Sequence, residues 1–144
     1  MTETPAEYNF ENIKIGDKRK FNEKIDESKI EIFARLSGDY NPLHMDEKYA
    51  SETYLKRRVC HGMLLASYLS RLVGMYLPGK NALYFSQTLN FQAPCFLDDE
   101  ITVEGEVIDK SISTRIITIK TSIYNQHKEH VVDGIAKVII RTDN

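Results

Sequence analysis

The stretch GMLLASYLSRLVGMYL, residues 62 to 77, constrains the fold more than any other part of the chain. Only Ser67, Ser70 and Arg71 within it are plainly polar. Wound into a helix, it is apolar almost all the way round, and such a helix has to be buried on nearly every side. A bilayer is a poor place to bury it: the apolar run from Met63 to Leu77 is too short to cross comfortably, and Arg71 interrupts it. The cover has to come from protein. Pro78-Gly79 closes the helix.

After Gly79 the texture changes. Residues 82 to 92 are rich in aromatic and β-favouring types. Ile101, Val103 and Val107 alternate with Thr102, Glu104 and Glu106, the pattern of a strand with one wet face. RIITIKTSIY (115 to 124) and HVVDGIAKVII (130 to 140) supply two more strands, joined by the polar turn NQHKE. Tyr84, Phe85 and Phe91 are expected in the core, and His127 and His130, near that turn, in solvent. Before the central helix, residues 18 to 25 read as a short strand. Ser28 and Glu31 resemble a helix capping box, with Asp26 as a competing cap. Ile30, Phe33 and Ala34 then give a helical stripe that Gly38 ends, and Asp46 caps a second short helix to about Thr53. Helices followed by four antiparallel strands make an α+β layout. A sheet wrapped around one long buried helix is the hot-dog arrangement, and 144 residues suit a single such domain, 1–144.

Composition removes several classes of function. A net charge of -2 leaves no electrostatic footprint for nucleic acid. The basic runs at Lys18-Arg19-Lys20 and Lys56-Arg57-Arg58 are short enough to be solvated faces. The opening MTETPAEYNF lacks the apolar core of a secretory signal, and Cys60 and Cys95 fit no zinc or redox spacing. A cytoplasmic protein with reduced thiols is expected. No phosphate loop or dinucleotide fingerprint is present.

Chemistry concentrates at SGDYNPLHMD, residues 37 to 46. Asp, Asn and Pro are ordinary turn formers. Here, however, Pro42 fixes its own φ and pushes Asn41 toward an extended conformation, so Asp39 and His44 can share one side of a compact loop. A carboxylate beside an imidazole can take a proton from a bound water and deliver one elsewhere. Asn41 can hold that water or orient a neighbour. Downstream, RVCHGML places Gly62 at the start of the apolar helix. A helix N-terminus offers unpaired N–H groups and partial positive charge, and glycine lets a ligand approach the backbone. Acid/base pair and oxyanion site together can add water across a double bond conjugated to a carbonyl. His61 is assigned a structural role beside the helix start. A metal site built from Asp39, His44 and His61 lacks the usual ligand spacing and is not expected. A Cys60–His61 dyad is disfavoured because adjacent residues of an extended chain point opposite ways.

FARLSGDYNPLHMDEKYA (33 to 50) resembles the signature of R-specific enoyl-CoA hydratases, in the MaoC-like dehydratase group of the hot-dog superfamily. The matching positions are Phe33, Leu36-Ser37-Gly38-Asp39, Asn41-Pro42-Leu43-His44 and Ala50, and the likeness continues through HGMLLASYLSRL, LPGKNALYFSQTLNF and PCFLDDEITVEGEV. The resemblance implies reversible hydration of trans-2-enoyl-CoA to (R)-3-hydroxyacyl-CoA by a homodimer without metal or redox cofactor. It assigns water and proton to Asp39 and His44, support to Asn41, and an oxyanion-hole N–H to Gly62. Leu55-Lys56-Arg57 departs from the family pattern, and Lys56 or Arg57 is a candidate contact for the phosphates of CoA, with two solvated side chains as the alternative. Two other functions remain in play: a hot-dog acyl-CoA thioesterase, since one fold hosts many chemistries, and a non-catalytic acyl-CoA-binding module.

Overall fold

A computed structural model describes residues 3–143 of the chain. A single 3-10 turn, Phe10–Asn12, precedes strand β1, Lys18–Lys24. Helix α1, Glu27–Ser37, is capped by Asp26, whose carboxylate accepts from the Lys29 N–H at 3.1 Å. Ser28 is therefore not the cap; its hydroxyl donates to Asp26 and reinforces it. Gly38, with φ of 81°, closes the helix in the left-handed conformation that glycine adopts without a Cβ penalty. The segment expected as a plain turn contains a short helix, α2, Pro42–Met45, because Asn41 is an N-cap and Pro42 suits the first helical position. Asp46 caps α3, Glu47–Ser51, accepting from the Tyr49 N–H at 3.0 Å.

The apolar stretch forms α4, Gly62–Arg71, and continues through one π-helical turn, Leu72–Tyr76. Its inner face carries Leu64, Leu65, Leu69 and Leu72, packed on Phe21, Ile25, Ile101, Val103, Ile123 and Val132. Each buried leucine contributes about 1.5–3 kcal/mol relative to exposure. That packing, not intrinsic propensity, holds a helix too short to be stable alone. Farther along, Val73 and Leu77 meet Val107, Ile117, Ile119, Val138 and Ile140. Gly105 lets helix and sheet meet closely: a Cβ there would lie 2.9 Å from Leu72.

Four longer strands complete the sheet: β2, Ala82–Gln87; β4, Glu100–Ser111; β5, Ile116–Tyr124; and β6, His130–Ile140. A short β3, Asn90–Phe91, pairs with β6 off the main path of the sheet. All pairings are antiparallel in the order β1-β4-β5-β6-β2, which makes β1 and β2 the outer strands. The single strand expected over 82 to 92 is thus broken at Thr88. The Thr88 carbonyl lies 1.9 Å from where a Cβ on Gly134 would sit, and Thr88 exchanges hydrogen bonds with the backbone of Ile135.

Two expectations need correction. The sheet wraps around α4 as expected, but the helix is not buried on nearly every side, because Met63, Ser67 and Ser70 are exposed. Phe85 and Phe91 are not core residues either, being 62% and 53% exposed, whereas Tyr84 is partly buried against the second cluster. Alternation along β2 turns Tyr84 inward and therefore Leu83 and Phe85 outward. His127 and His130 are exposed, as their position at the hairpin turn implies.

Candidate active site

Asp39 leaves the end of α1, and its carboxylate Oδ1 accepts from the Asn41 N–H at 3.1 Å. The Asn41 side chain is occupied in turn, accepting from the Leu43 N–H at 3.0 Å as the cap of α2. Asn41 therefore orients both neighbours: its backbone holds Asp39, and its side chain starts the helix that carries His44. The result brings Asp39 Oδ2 to 4.0 Å from His44 Nε2.

His44 is fixed from the opposite side by a part of the chain the motif does not include. Its Nδ1 lies 2.7 Å from the Val59 carbonyl oxygen. A carbonyl only accepts, so Nδ1 carries the proton and neutral His44 presents its Nε2 lone pair toward Asp39. Arg58, buried, donates from Nε to the His44 carbonyl and from Nη1 to Glu27, both at 2.6 Å. This guanidinium ties the start of α1 to the end of α2. Sequence reading passed over Arg58 as one of a short basic run; its function depends on a partner far away in the chain.

His61 lies between the two halves of the site. It is 2% exposed, its ring stacks on His44 with centroids 4.0 Å apart, and Phe33 covers it from α1. Its Nε2 donates to the Asp39 carbonyl at 3.0 Å, while its buried Nδ1 has no hydrogen-bond partner among the described residues. Burial lowers the pKa of His61; the bond to Asp39 opposes that shift, and the charges of His44 and Arg58 add to it. Asp39, His44 and His61 each offer a donor atom to a set lying within 4.8 Å, so the fold assembles a possible cation site that sequence spacing did not indicate.

These groups open on a cavity of about 500 Å³, lined by Asp39, His44, His61, Gly62, Phe91 and Cys95 among others, with a mostly apolar wall. Gly62 is the first residue of α4, so its N–H has no acceptor within the helix. The group that approaches its backbone is the Phe91 ring: a Cβ on Gly62 would stand 2.7 Å from Phe91 Cε1. Cys60 and Cys95 are free, buried thiols facing each other across a backbone bond of 2.7 Å. The Cys60 thiol and burial together push the Cys95 thiol upward, away from nucleophilic character. Lys56 and Arg57 do not line the cavity. Both are exposed on the loop before Val59, and the Arg57 guanidinium lies 3.8 Å over the Phe96 ring.

A six-stranded antiparallel sheet wrapped around one central helix defines a hot-dog domain, and a carboxylate and an imidazole meet in the cavity at the start of that helix. The chain belongs to the MaoC-like family, whose domain model matches residues 10–130. It is 39% identical to the (R)-specific enoyl-CoA hydratase of Aeromonas caviae over 89% of this chain and 96% of that one. The solved structure of an A. caviae (R)-hydratase superposes with a TM-score of 0.88, covering 90% of this chain and 98% of its own. An unliganded R-hydratase from Pseudomonas aeruginosa, 35% identical, gives a TM-score of 0.89 over 94% of this chain and 86% of its own. A mitochondrial 3-hydroxyacyl-[acyl-carrier-protein] dehydratase of Arabidopsis thaliana is 33% identical over 89% of this chain and 78% of that one. The names of these relatives describe lyases that add or remove water.

Proposed function

We propose that this protein hydrates trans-2-enoyl-CoA to (R)-3-hydroxyacyl-CoA, reversibly, with Asp39 and His44 as the acid/base pair. The observation that carries this reading is the 4.0 Å gap between Asp39 Oδ2 and His44 Nε2 at the wall of an apolar cavity. A water about 2.8 Å from each atom would donate one hydrogen to each, at an angle of roughly 90° between the two contacts. Its oxygen lone pair is then free to face the cavity. As that oxygen attacks C3 of the enoyl thioester, the pair accepts one proton from the water. Charge moves through the conjugated system onto the thioester oxygen, where the Gly62 N–H at the positive end of α4 stabilises it. Delivery of a proton from the pair to C2 completes the addition of one water. Dehydration runs through the same groups in reverse.

The thioester supplies the conjugation, so the reaction needs neither a metal nor a redox cofactor. The fixed tautomer of His61 supports this: its Nε2 proton is committed to Asp39, and its lone pair faces closed protein. That leaves two free donors, fewer than the three protein ligands a catalytic zinc uses. Lys56 and Arg57 are the proposed contacts for the phosphates of CoA; what supports this is their charge and their exposure on the loop that leads to Val59 in the cavity wall. Lys56→Ala with Arg57→Ala should raise KM for a CoA substrate about tenfold with little change in kcat, as loss of uniform binding does; an unchanged KM removes them from the site. Free thiols at Cys60 and Cys95 fit a cytoplasmic location. Among the described residues no helix is long and apolar enough to cross a membrane.

The deciding experiment is loss of the enoyl-thioester absorbance with crotonyl-CoA and with longer enoyl-CoAs, followed by chiral analysis. Formation of the (R)-3-hydroxyacyl-CoA supports the reading. Release of free CoA replaces it with a thioesterase, and binding without turnover replaces it with an acyl-CoA-binding module.

A further inference from the structure

We propose that His61 is a positioning residue that registers the acid against the base, holding Asp39 by a hydrogen bond and His44 by stacking. The inference rests on the assignment of Asp39 and His44 to water activation. Asp39 lies on an exposed loop, and its other hydrogen bonds go to near neighbours in the chain, Ser37 at the end of α1 and Asn41. Such bonds shape the turn off α1 but do not tie it to the stretch of chain that anchors His44. The His61 Nε2–H to Asp39 carbonyl bond, 3.0 Å long, reaches from the loop to the N-terminus of the central helix. His44 is anchored to the same stretch of chain through Val59, and its ring lies against His61 at 4.0 Å and 29°. His61 also directly precedes Gly62, so one residue joins acid, base and the oxyanion N–H in a single frame.

The chemistry requires such a frame. A water held between two atoms 4.0 Å apart is aimed by both contacts, so a shift of either atom by about an ångström turns its lone pair away from the line of attack. Misplacement on that scale can cost about 10²-fold in rate. Asp39 is the less enclosed partner, its side chain being 49% exposed against 16% for His44. The hydrogen bond therefore matters more than the stack. The unpartnered Nδ1 agrees with this order: His61 leaves that nitrogen buried and unsatisfied while its N–H is aimed at Asp39.

Two variants separate the two contacts. His61→Phe keeps a ring against His44 and removes the N–H; His61→Gln keeps a side-chain N–H at similar reach and removes the ring. With crotonyl-CoA, His61→Phe should lower kcat about 10²-fold with KM within about twofold, and His61→Gln should recover most of that loss. In long-range ¹H–¹⁵N spectra, the wild-type protein should show His61 as the Nε2–H tautomer and His44 as the Nδ1–H tautomer. His61→Ala should broaden or shift the His44 ring signals. Wild-type kcat in His61→Phe overturns the proposal. Equal losses in both variants with a collapsed unfolding temperature make His61 a packing residue and also overturn it. If the wild-type protein turns over no enoyl-CoA, the hydratase reading fails by itself, and unchanged His44 signals in His61→Ala then overturn the positioning role separately.

Discussion

At the scale of single residues, the site depends on which nitrogen of each imidazole holds its proton. The Val59 carbonyl fixes His44 with its basic nitrogen toward Asp39, and the Asp39 carbonyl fixes His61 in the opposite tautomer. Asp39→Asn removes the carboxylate of the proposed pair and His44→Ala its imidazole. Each should lower kcat by about 10²–10⁴-fold, the usual contribution of a positioned acid or base. The circular dichroism spectrum should stay native, because neither side chain is part of the core. A variant with near wild-type turnover removes that residue from the mechanism. His61 makes a second prediction, about stability. Burial lowers its pKa below the usual 6.5, with the Asp39 bond opposing and the charges of His44 and Arg58 reinforcing the shift. The folded state therefore binds this proton less readily than the unfolded chain. His61 contributes full stability above pH 6.5, and the contribution is lost as pH falls below 6.5 and through its lower folded value. Across that window the unfolding temperature of the wild-type protein should fall more steeply than that of His61→Phe; parallel curves refute the assignment. Asp39, His44 and Gly62 were legible in the sequence because each lies in a short motif whose residue types have few other uses together. The contacts of Arg58, His61 and Phe91 were not, because each reaches across to another element.

At the scale of elements, α1 and α3 were readable from their caps and breakers and the strands from alternation, whereas α2 lay in a segment that reads as a turn. The central helix was found from its apolar run, although its change to a π-helical turn at Leu72 has no signal in the residues. Reading residues 82 to 92 as one strand failed for a specific reason. β-favouring composition continues through Thr88, and the interruption is imposed from β6, where Gly134 leaves space for the Thr88 carbonyl. A glycine inside a strand marks close approach of another backbone, but the partner is visible only in three dimensions. Gly134→Ala would place a methyl group 1.9 Å from a backbone oxygen that is itself held between β2 and β3. Because no flexible side chain can yield there, the cost should be about 3 kcal/mol, the upper end for an overpacked site. Thermal unfolding should fall by about 10 °C on that basis. Phe91 and the cavity wall follow directly after this crossing, so kcat/KM should fall as well. An unchanged unfolding temperature would mean that β2 and β3 can move apart freely.

At the scale of the whole molecule, one debt of the sequence is left outstanding: a helix apolar almost all round is left open along one side. The open side carries Met63, Ala66, Ser67 and Ser70 and continues into an apolar trough with Phe33, Tyr84 and Leu89. Beside it runs β2, an outer strand of the sheet, with Leu83 and Phe85 exposed. An outer strand with exposed apolar side chains is a template for pairing, and a two-fold axis lets β2 pair with itself while the two open helix faces meet. We propose that a second copy of this chain is the cover. The resulting homodimer would bury Phe85 and Leu83 against their symmetry mates, in an interface on the order of 800 Å² per partner if of standard size. Sedimentation at low micromolar concentration should then give twice the 16.6 kDa chain mass. Leu83→Lys with Phe85→Lys should shift the protein to the single-chain mass, since four buried lysines at one axis repel each other and lose their hydration. The wild-type protein sedimenting as a single chain would sink the dimer. A double variant that remains dimeric would move the interface off β2 and onto the open face of the helix.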